Sequence, residues 1–450
     1  MNNQKKYNTL RLTFPEMSYE SFEYSFSDSG MDMAFNFSVG DKIHFRPTAH
    51  IPLRPFMRPP MDHAIIDSLV FHIGMIELVS YWKCLCPPTV RIRQRMLDEG
   101  QIAFWKKLYF NGLGEFFYTN GIHATMDDFM QIVSEGTAPC RPLGIRLDDS
   151  YMVPVGGGKD SVVTLELLRN AGADIRPLIV NPRGATTECV AKGGFADDDT
   201  VVIQRTLDPV MLDLNSKGCL NGHTPFSALL AFYTLLTAAL TGRRNIALSN
   251  ESSANEATVI GTEINHQYSK SLEFENDFRN YVRQYISADF NYFSFLRPLN
   301  ELQIAMLFSR QEAYFDVFKS CNAGSKQDIW CGRCPKCLFV YTILSPFIPP
   351  QRLDAIFGKC MLDDPDMAQY FEQLTGHADT KPFECVGTVS EVNSALAMAI
   401  DRWYPQPESR PALLRNYRPQ PPATPLHTLL SEHNLSASQL SILADAVRIQ

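Results

Sequence analysis

Tyr151–Asn170 reads YMVPVGGGKDSVVTLELLRN, and the order of its parts decides the fold. An apolar strand, Met152–Val155, runs into Gly156, Gly157 and Gly158. Lys159, Asp160 and Ser161 follow, and the spacing predicts a helix over Ser161–Asn170. Glycines let the backbone turn with positive φ and leave its N–H groups uncovered by side chains. The start of a helix presents further unpaired N–H groups and a positive dipole end to the same point. Together they make an anion site suited to phosphate. Lys159 adds a point charge, Ser161 a hydroxyl, and Asp160 a carboxylate able to hold a divalent cation against polyphosphate. Three glycines alone would mark only a tight turn; the full strand, turn, Lys-Asp-Ser and helix order is more specific. The G-x-x-x-x-G-K-[ST] spacing of a Walker A loop is absent, and G-x-G-x-x-G fails at Asp160 and Ser161. Pro154 is awkward in the leading strand because it withholds a ladder hydrogen bond.

Outward from this loop, residues 146–345 alternate strands (Ile175–Val180, Thr200–Ile203, Asn245–Leu248) with helices such as Phe226–Leu240. That alternation predicts an α/β domain with a parallel sheet and helices on its faces. Residues 1–145 are rich in aromatics and read as an α+β domain. Strands are expected at Thr9–Phe14 and Ile43–Phe45, and helices at Ala64–Trp82 and Gln101–Phe117. Residues 346–450 read as a helical region broken by a proline-rich stretch over 405–425, a stiff linker or wrapping arm. It holds Pro405, Pro407, Pro411, Pro419, Pro421, Pro422 and Pro425. A terminal helix is expected at Ser436–Ile449, capped by Asn434 or Ser436.

The 450 residues are 45% hydrophobic and 20% charged, a globular composition. Forty-one basic against 49 acidic residues leave a net charge of −8, which argues against nucleic acid as a partner drawn by bulk charge. The most apolar stretch, Phe226–Leu240, is short for a membrane span and contains a serine and two threonines, so a core helix is expected. The start, MNNQKKYNTLRLTF, has no secretory pattern, and a cytoplasmic location is expected. Among eleven cysteines, Cys321-x9-Cys331-x2-Cys334-x2-Cys337 offers four thiolates. That number closes a tetrahedral zinc site; an iron–sulfur cluster or no metal are the alternatives. A closed site has no open position, so its role would be structural. The cysteines at 84, 86, 140, 189, 219, 360 and 385 read as buried apolar groups.

Gly156-Gly157-Gly158-Lys159-Asp160-Ser161 resembles the Ser-Gly-Gly-x-Asp-Ser signature of the PP-loop ATP pyrophosphatases. Glycine replaces the first serine and removes one hydroxyl contact, with Lys159 as a substitute. The resemblance implies a HUP-like nucleotide-binding domain over 146–345 that cleaves ATP between its α and β phosphates. AMP would pass to a carboxylate, carbonyl or amide oxygen, with Lys159 and Asp160 acting at the transfer. It further implies adenine held near Val180 and Asn181, and Asn250, Glu251, Asn255 and Glu256 facing the crevice at the strands' carboxyl ends. The cysteine spacing is similar to the zinc module of PP-loop enzymes that make 7-cyano-7-deazaguanine, which favours structural Zn2+.

Most of the chain resembles the bacterial UDP-N-acetyl-α-D-muramoyl-L-alanyl-L-glutamate epimerases, through Phe71–Lys83, Gln101–Ile122, Asn221–Phe226 and Lys381–Glu391. That resemblance implies ATP- and Mg2+-dependent inversion of the terminal L-glutamate of UDP-N-acetylmuramoyl-L-alanyl-L-glutamate. The reaction would pass through an acyl-adenylate, release AMP and diphosphate, and serve peptidoglycan precursor synthesis. Proton transfer at Cα needs an acid and a base. His223, Glu251, Glu188, Cys189 and Cys219 are the candidates, and caps, core groups and inert thiols are their ordinary readings. Lys192, Arg183 and Arg205 are candidates for holding substrate phosphates or carboxylates. Two rival readings stand beside the epimerase: a PP-loop ligase that amidates or thiolates a nucleobase or tRNA, and a non-catalytic nucleotide-binding scaffold. The sequence expects no membrane partner and sets no oligomeric state.

Overall fold

The computed structural model describes residues 2–58, 62–255, 265, 267–418, 421 and 423–448. Glu256, Pro419, Pro422 and Ile449 lie outside the described residues. Among the described residues, eleven strands follow one another as β1 Glu16–Ser27, β2 Gly30–Val39, β3 Ile43–Phe45, β4 Thr48–Pro52, β5 Thr89–Ile92, β6 Gln131–Ser134, β7 Asp148–Pro154, β8 Ile175–Val180, β9 Val201–Thr206, β10 Arg243–Leu248 and β11 Asn291–Ser294. The chain folds as two compact units that interleave in sequence. The first is Met1–Met152, Val201–Ile246 and Gln267–Tyr292; the second is Val153–Thr200, Ala247–His266 and Phe293–Gln450.

In the first unit the strand order is β6-β5-β1-β2-β4-β9, with β3 beside β2. The β1–β5 and β5–β6 pairs are parallel, while β1–β2, β2–β4 and β4–β9 are antiparallel. The pairing is therefore mixed, and of these strands only β9 belongs to residues 146–345, where the parallel sheet is expected. β9, read as one strand of that parallel sheet, pairs antiparallel with β4, placing Ala49 opposite Arg205. In β4, Ala49 and Ile51 are buried and the residues between them are half-buried. One covered face is enough for antiparallel pairing, whereas a parallel sheet needs both covered.

The expected strand at Thr9–Phe14 is instead the end of a helix, Asn3–Thr13. The Asn2 side chain accepts the Gln4 N–H and starts that helix, Tyr7 is its buried contact, and Leu12 is 86% exposed. A Leu-x-Leu alternation thus loses to a capped helix whose inward face is a single tyrosine. The core of the unit is the helix His63–Leu85, which packs on β1, β2 and the helix Phe226–Thr241. It is the one described helix long and apolar enough to cross a membrane, and 89% of its apolar window is buried inside the protein. At Gly74 the Tyr19 hydroxyl occupies the space a Cβ would need.

Several polar groups inside this core are paired, although the buried Ser68 hydroxyl is not. Glu77 holds Arg205 through two bonds of 2.6 Å and accepts the Tyr233 hydroxyl at 3.1 Å. Arg205, a sequence candidate for substrate anions, is thus committed to an internal ion pair. His72 Nδ1 lies 2.6 Å from the Ser68 carbonyl and Nε2 3.0 Å from the Tyr281 hydroxyl. A carbonyl only accepts, so Nδ1 carries the proton and Nε2 accepts from Tyr281. That hydroxyl also accepts from Trp105 Nε1 at 3.0 Å.

The second unit takes β8 and the carboxyl ends of β7, β10 and β11, in the order β11-β10-β7-β8; the parallel β7–β10 register, from Asp148 opposite Arg243 to Met152 opposite Ile246, lies in the first unit. Pro154 is the last residue of β7, where the ladder needs little from it. The carboxy-terminal part is helical, with Pro335–Leu344, Pro350–Phe357, Ala368–Thr375, Val389–Trp403 and Ala437–Arg448. The end of the proline-rich stretch is tied to the helical part. Asn300 Nδ2 donates to the Pro425 carbonyl at 2.7 Å, and Gln303 Nε2 to those of Leu426 and Thr428.

Burial lowers the His72 pKa from 6.5 to about 4. Between those values the unfolded chain binds the extra proton, so stability should fall as pH drops from about 6.5 towards 4. The loss should reach about 3 kcal/mol at the acid end. Urea denaturation of wild type and His72→Gln at pH 7 and pH 4.5 measures it; the variant should show the shallower pH dependence.

Candidate functional site

β7 ends at Pro154 and the phosphate loop follows as Gly156–Gly158, with Gly158 capping the helix Lys159–Asn170. Gly158 has no side chain to cap the first N–H groups of that helix, as suits an anion site. Gly157 has φ +81°, and a Cβ there would stand about 2.9 Å from the Ala185 backbone. Glycine is needed at 157 on both counts. A Cβ added at Gly156 would meet nothing within 4 Å. Ser161 Oγ donates to the Gly158 carbonyl at 2.9 Å, and the Lys319 N–H donates to the Gly157 carbonyl at 2.8 Å. The guanidinium of Arg183 reaches the Gly156 carbonyl at 3.4 Å.

Lys159 is 3% exposed. Its ammonium is held by Asp160 Oδ1 at 2.5 Å and by Glu301 Oε2. Burial works against the charged lysine, but Asp160 and Glu301 outweigh it and hold the pKa above its ordinary value. Burial pushes the Glu301 carboxyl up, Lys159 pulls it down, and Asp160, Glu251 and Glu391 push it up again. The ammonium therefore stays charged between two carboxylates, of which the buried one ionises with difficulty. The Glu301 N–H donates to Glu391 Oε1 at 2.9 Å, and Glu391 forms a capping box with Thr388. Burial also raises the Glu391 carboxyl.

Of the residues singled out from sequence, the second unit holds the loop, Val180, Asn181, Asn250, Glu251, Cys189 and the cysteine quartet. Asn181 follows β8 with φ +50°, a left-handed conformation that asparagine tolerates. Asn250 Nδ2 donates to Ser294 Oγ at 3.0 Å. Glu251 is buried; its carboxylate accepts from Ser253 Oγ at 3.2 Å and its carbonyl from Arg297 Nη1 at 2.5 Å. The Cys189 thiol faces the Gly157 carbonyl at 3.7 Å, and burial pushes its pKa to about 12. Glu188 and Lys192 are exposed.

His223 and Cys219 lie in the first unit. His223 Nδ1 sits 3.3 Å from Glu115 Oε2, and burial raises the Cys219 thiol. Sequence reasoning missed Glu301, Glu391 and Arg297, all buried. A buried acid such as Glu301, opening a helix behind an Asn300 cap, was the available signal.

Cys321, Cys331, Cys334 and Cys337 bring their sulfurs within 4.8 Å of one another, a group able to hold a metal ion such as zinc. Separations are 3.7 Å for Cys321–Cys334, 3.8 Å for Cys331–Cys337 and 3.5 Å for Cys334–Cys337. Gly332 turns the knuckle at φ +64°, and the Gly324 N–H points at Cys321 Sγ, 3.2 Å away. None of the eleven cysteines is in a disulfide.

Two family models match the chain: the MurL N-terminal domain over residues 9–295 and the MurL C-terminal domain over residues 317–424. A protein of Xanthomonas oryzae named UDP-N-acetyl-alpha-D-muramoyl-L-alanyl-L-glutamate epimerase is 36% identical over 79% of this chain and 79% of its own. Proteins of the same name from Salinispora tropica and a Micromonospora species are 36% and 34% identical. They cover 86% and 89% of this chain and 84% and 89% of their own lengths.

Gly157→Ala should destabilise the protein by about 1–3 kcal/mol, from left-handed strain and the clash with Ala185. Gly156→Ala should cost under about 1 kcal/mol, since open space receives the methyl group. Paired urea denaturation curves would show whether the two neighbouring glycines differ in this way.

Proposed function

This chain belongs to the MurL family, and on that premise we propose that it is an epimerase acting in peptidoglycan precursor synthesis. It inverts the terminal L-glutamate of UDP-N-acetylmuramoyl-L-alanyl-L-glutamate. The observation that carries this reading is the 34–36% identity to epimerases of that name across at least 79% of the chain. The intact loop, Gly156–Ser161, supports ATP as the co-substrate, and an ATP- and UDP-linked reaction belongs in the cytoplasm.

The chemistry needs activation. Removing the Cα proton of glutamate beside a carboxylate means building a carbanion against an existing negative charge. Adenylylation of that carboxylate, with diphosphate leaving, removes the charge and makes the carbonyl electron-withdrawing. A base then takes the Cα proton, an acid returns one from the opposite face, and water releases AMP and the D-glutamyl product. In this scheme the amides of Gly156–Gly158, with Ser161, cradle the phosphates, and Lys159 keeps positive charge beside them. Val180 and Asn181 meet the adenine, and Asn250 lines the crevice. Asp160 would hold Mg2+, which neutralises phosphate charge when ATP is bound.

Glu251 and His223, the latter oriented by Glu115, suit the base's part. Cys189 and Cys219 are the candidates for the acid's part, although burial, by raising both thiols, makes each a weaker proton donor. Residues 1–145, 146–345 and 346–450 would then serve substrate binding, nucleotide binding and support.

The cysteine quartet would hold structural Zn2+. A tetrahedral ion with Zn–S bonds of about 2.3 Å spaces its sulfurs about 3.8 Å apart. The separations of 3.5–3.8 Å match a single ion and are too tight for a multi-iron cluster. The four thiolates leave no open coordination position, so the metal contributes shape.

Incubation with the L,L substrate, ATP and Mg2+ in deuterated water should give D-glutamate carrying deuterium at Cα, with AMP released. AMP formed without inversion would favour an adenylating ligase instead. Asp160→Ala should abolish AMP release, and retained activity would remove the phosphate loop from the mechanism. Metal analysis should find about one zinc per chain; iron in its place would overturn the metal assignment.

A further inference from the structure

Three consecutive residues join the cysteine quartet to the phosphate loop, all inside the second unit. The Lys319 N–H donates to the Gly157 carbonyl at 2.8 Å. Ser320 Cβ lies 3.2 Å from the place a Cβ on Gly158 would take, so this side chain backs the loop. Cys321 supplies one of the four sulfurs. The Gly157 carbonyl and the Gly158 N–H belong to one planar trans peptide and point in opposite directions. Pinning the carbonyl against Lys319 therefore turns the Gly158 N–H, at the mouth of the helix, away from Lys319 and towards the space a phosphate would enter. The Cys189 thiol, 3.7 Å from the same carbonyl, is a weaker second hold.

We propose that Lys319–Cys321 is a strap through which the metal-loaded quartet sets the phosphate loop, so that metal occupancy governs nucleotide affinity. The proposal rests on the nucleotide-binding reading above. With metal bound, four sulfurs are fixed and Cys321 is anchored from one side. Without it, thiol contacts of 3.5–3.8 Å are too weak to hold the segment. The Lys319 amide then drifts from Gly157, and the Gly158 N–H loses its aim. Lys319 and Ser320 are positioning residues in this scheme and touch no reacting atom.

The test measures binding of a non-hydrolysable ATP analogue with Mg2+ by calorimetry, alongside metal content. Metal-stripped protein should bind the analogue about tenfold more weakly or worse, and zinc should restore affinity. Lys319→Pro, which removes the N–H, and Lys319→Ala, which keeps it, make the decisive pair if stripping unfolds the protein. Both should retain zinc, and the proline variant should bind the analogue about tenfold more weakly than the alanine variant. Equal affinity in that pair, or in stripped and loaded folded protein, overturns the strap and leaves the nucleotide site standing. No binding by loaded wild type overturns the site reading itself.

Discussion

An ammonium buried in protein must be met by opposite charge, and much of the second unit is arranged around that requirement at Lys159. The lysine opens one helix; Glu301, its buried partner, opens another. Glu391, in the first turn of a third, fixes Glu301 through its backbone N–H. Three helix starts separated by up to 230 positions in the chain are thereby tied to one positive charge. Removing one partner of such a pair typically costs about 3–5 kcal/mol, because the survivor is left buried and uncompensated. The geometry of the loop thus depends in part on two buried carboxyls, Glu301 and Glu391.

The loop and the quartet were legible in the sequence because each is local. A strand, three glycines and a helix lie within twenty residues, and three of the four cysteines within seven. Glu301 was not legible, because its meaning comes from Lys159, 142 positions away. Arg205 misled for the same reason. As an isolated basic residue it invites an anionic ligand, and only folding reveals Glu77 against the Nε and Nη2 of its guanidinium.

The sheet teaches a related lesson. β9 has the apolar character of a strand in a parallel sheet, yet β4, from the chain's first fifty-two residues, takes it as an antiparallel neighbour. Partner choice depends on which faces are covered, and the strand's own sequence does not state that. The Thr9–Phe14 error has the opposite cause. There the local alternation was real, but an asparagine cap and one buried tyrosine were worth more than a face with nothing to cover it.

The helix His63–Leu85 carries a consequence for how the chain is made. Its covering helix, Phe226–Thr241, lies about 150 residues further along. At ordinary synthesis speeds that gap lasts roughly 8–30 seconds. During that interval a greasy rod of membrane-spanning length stands outside the ribosome without its lid.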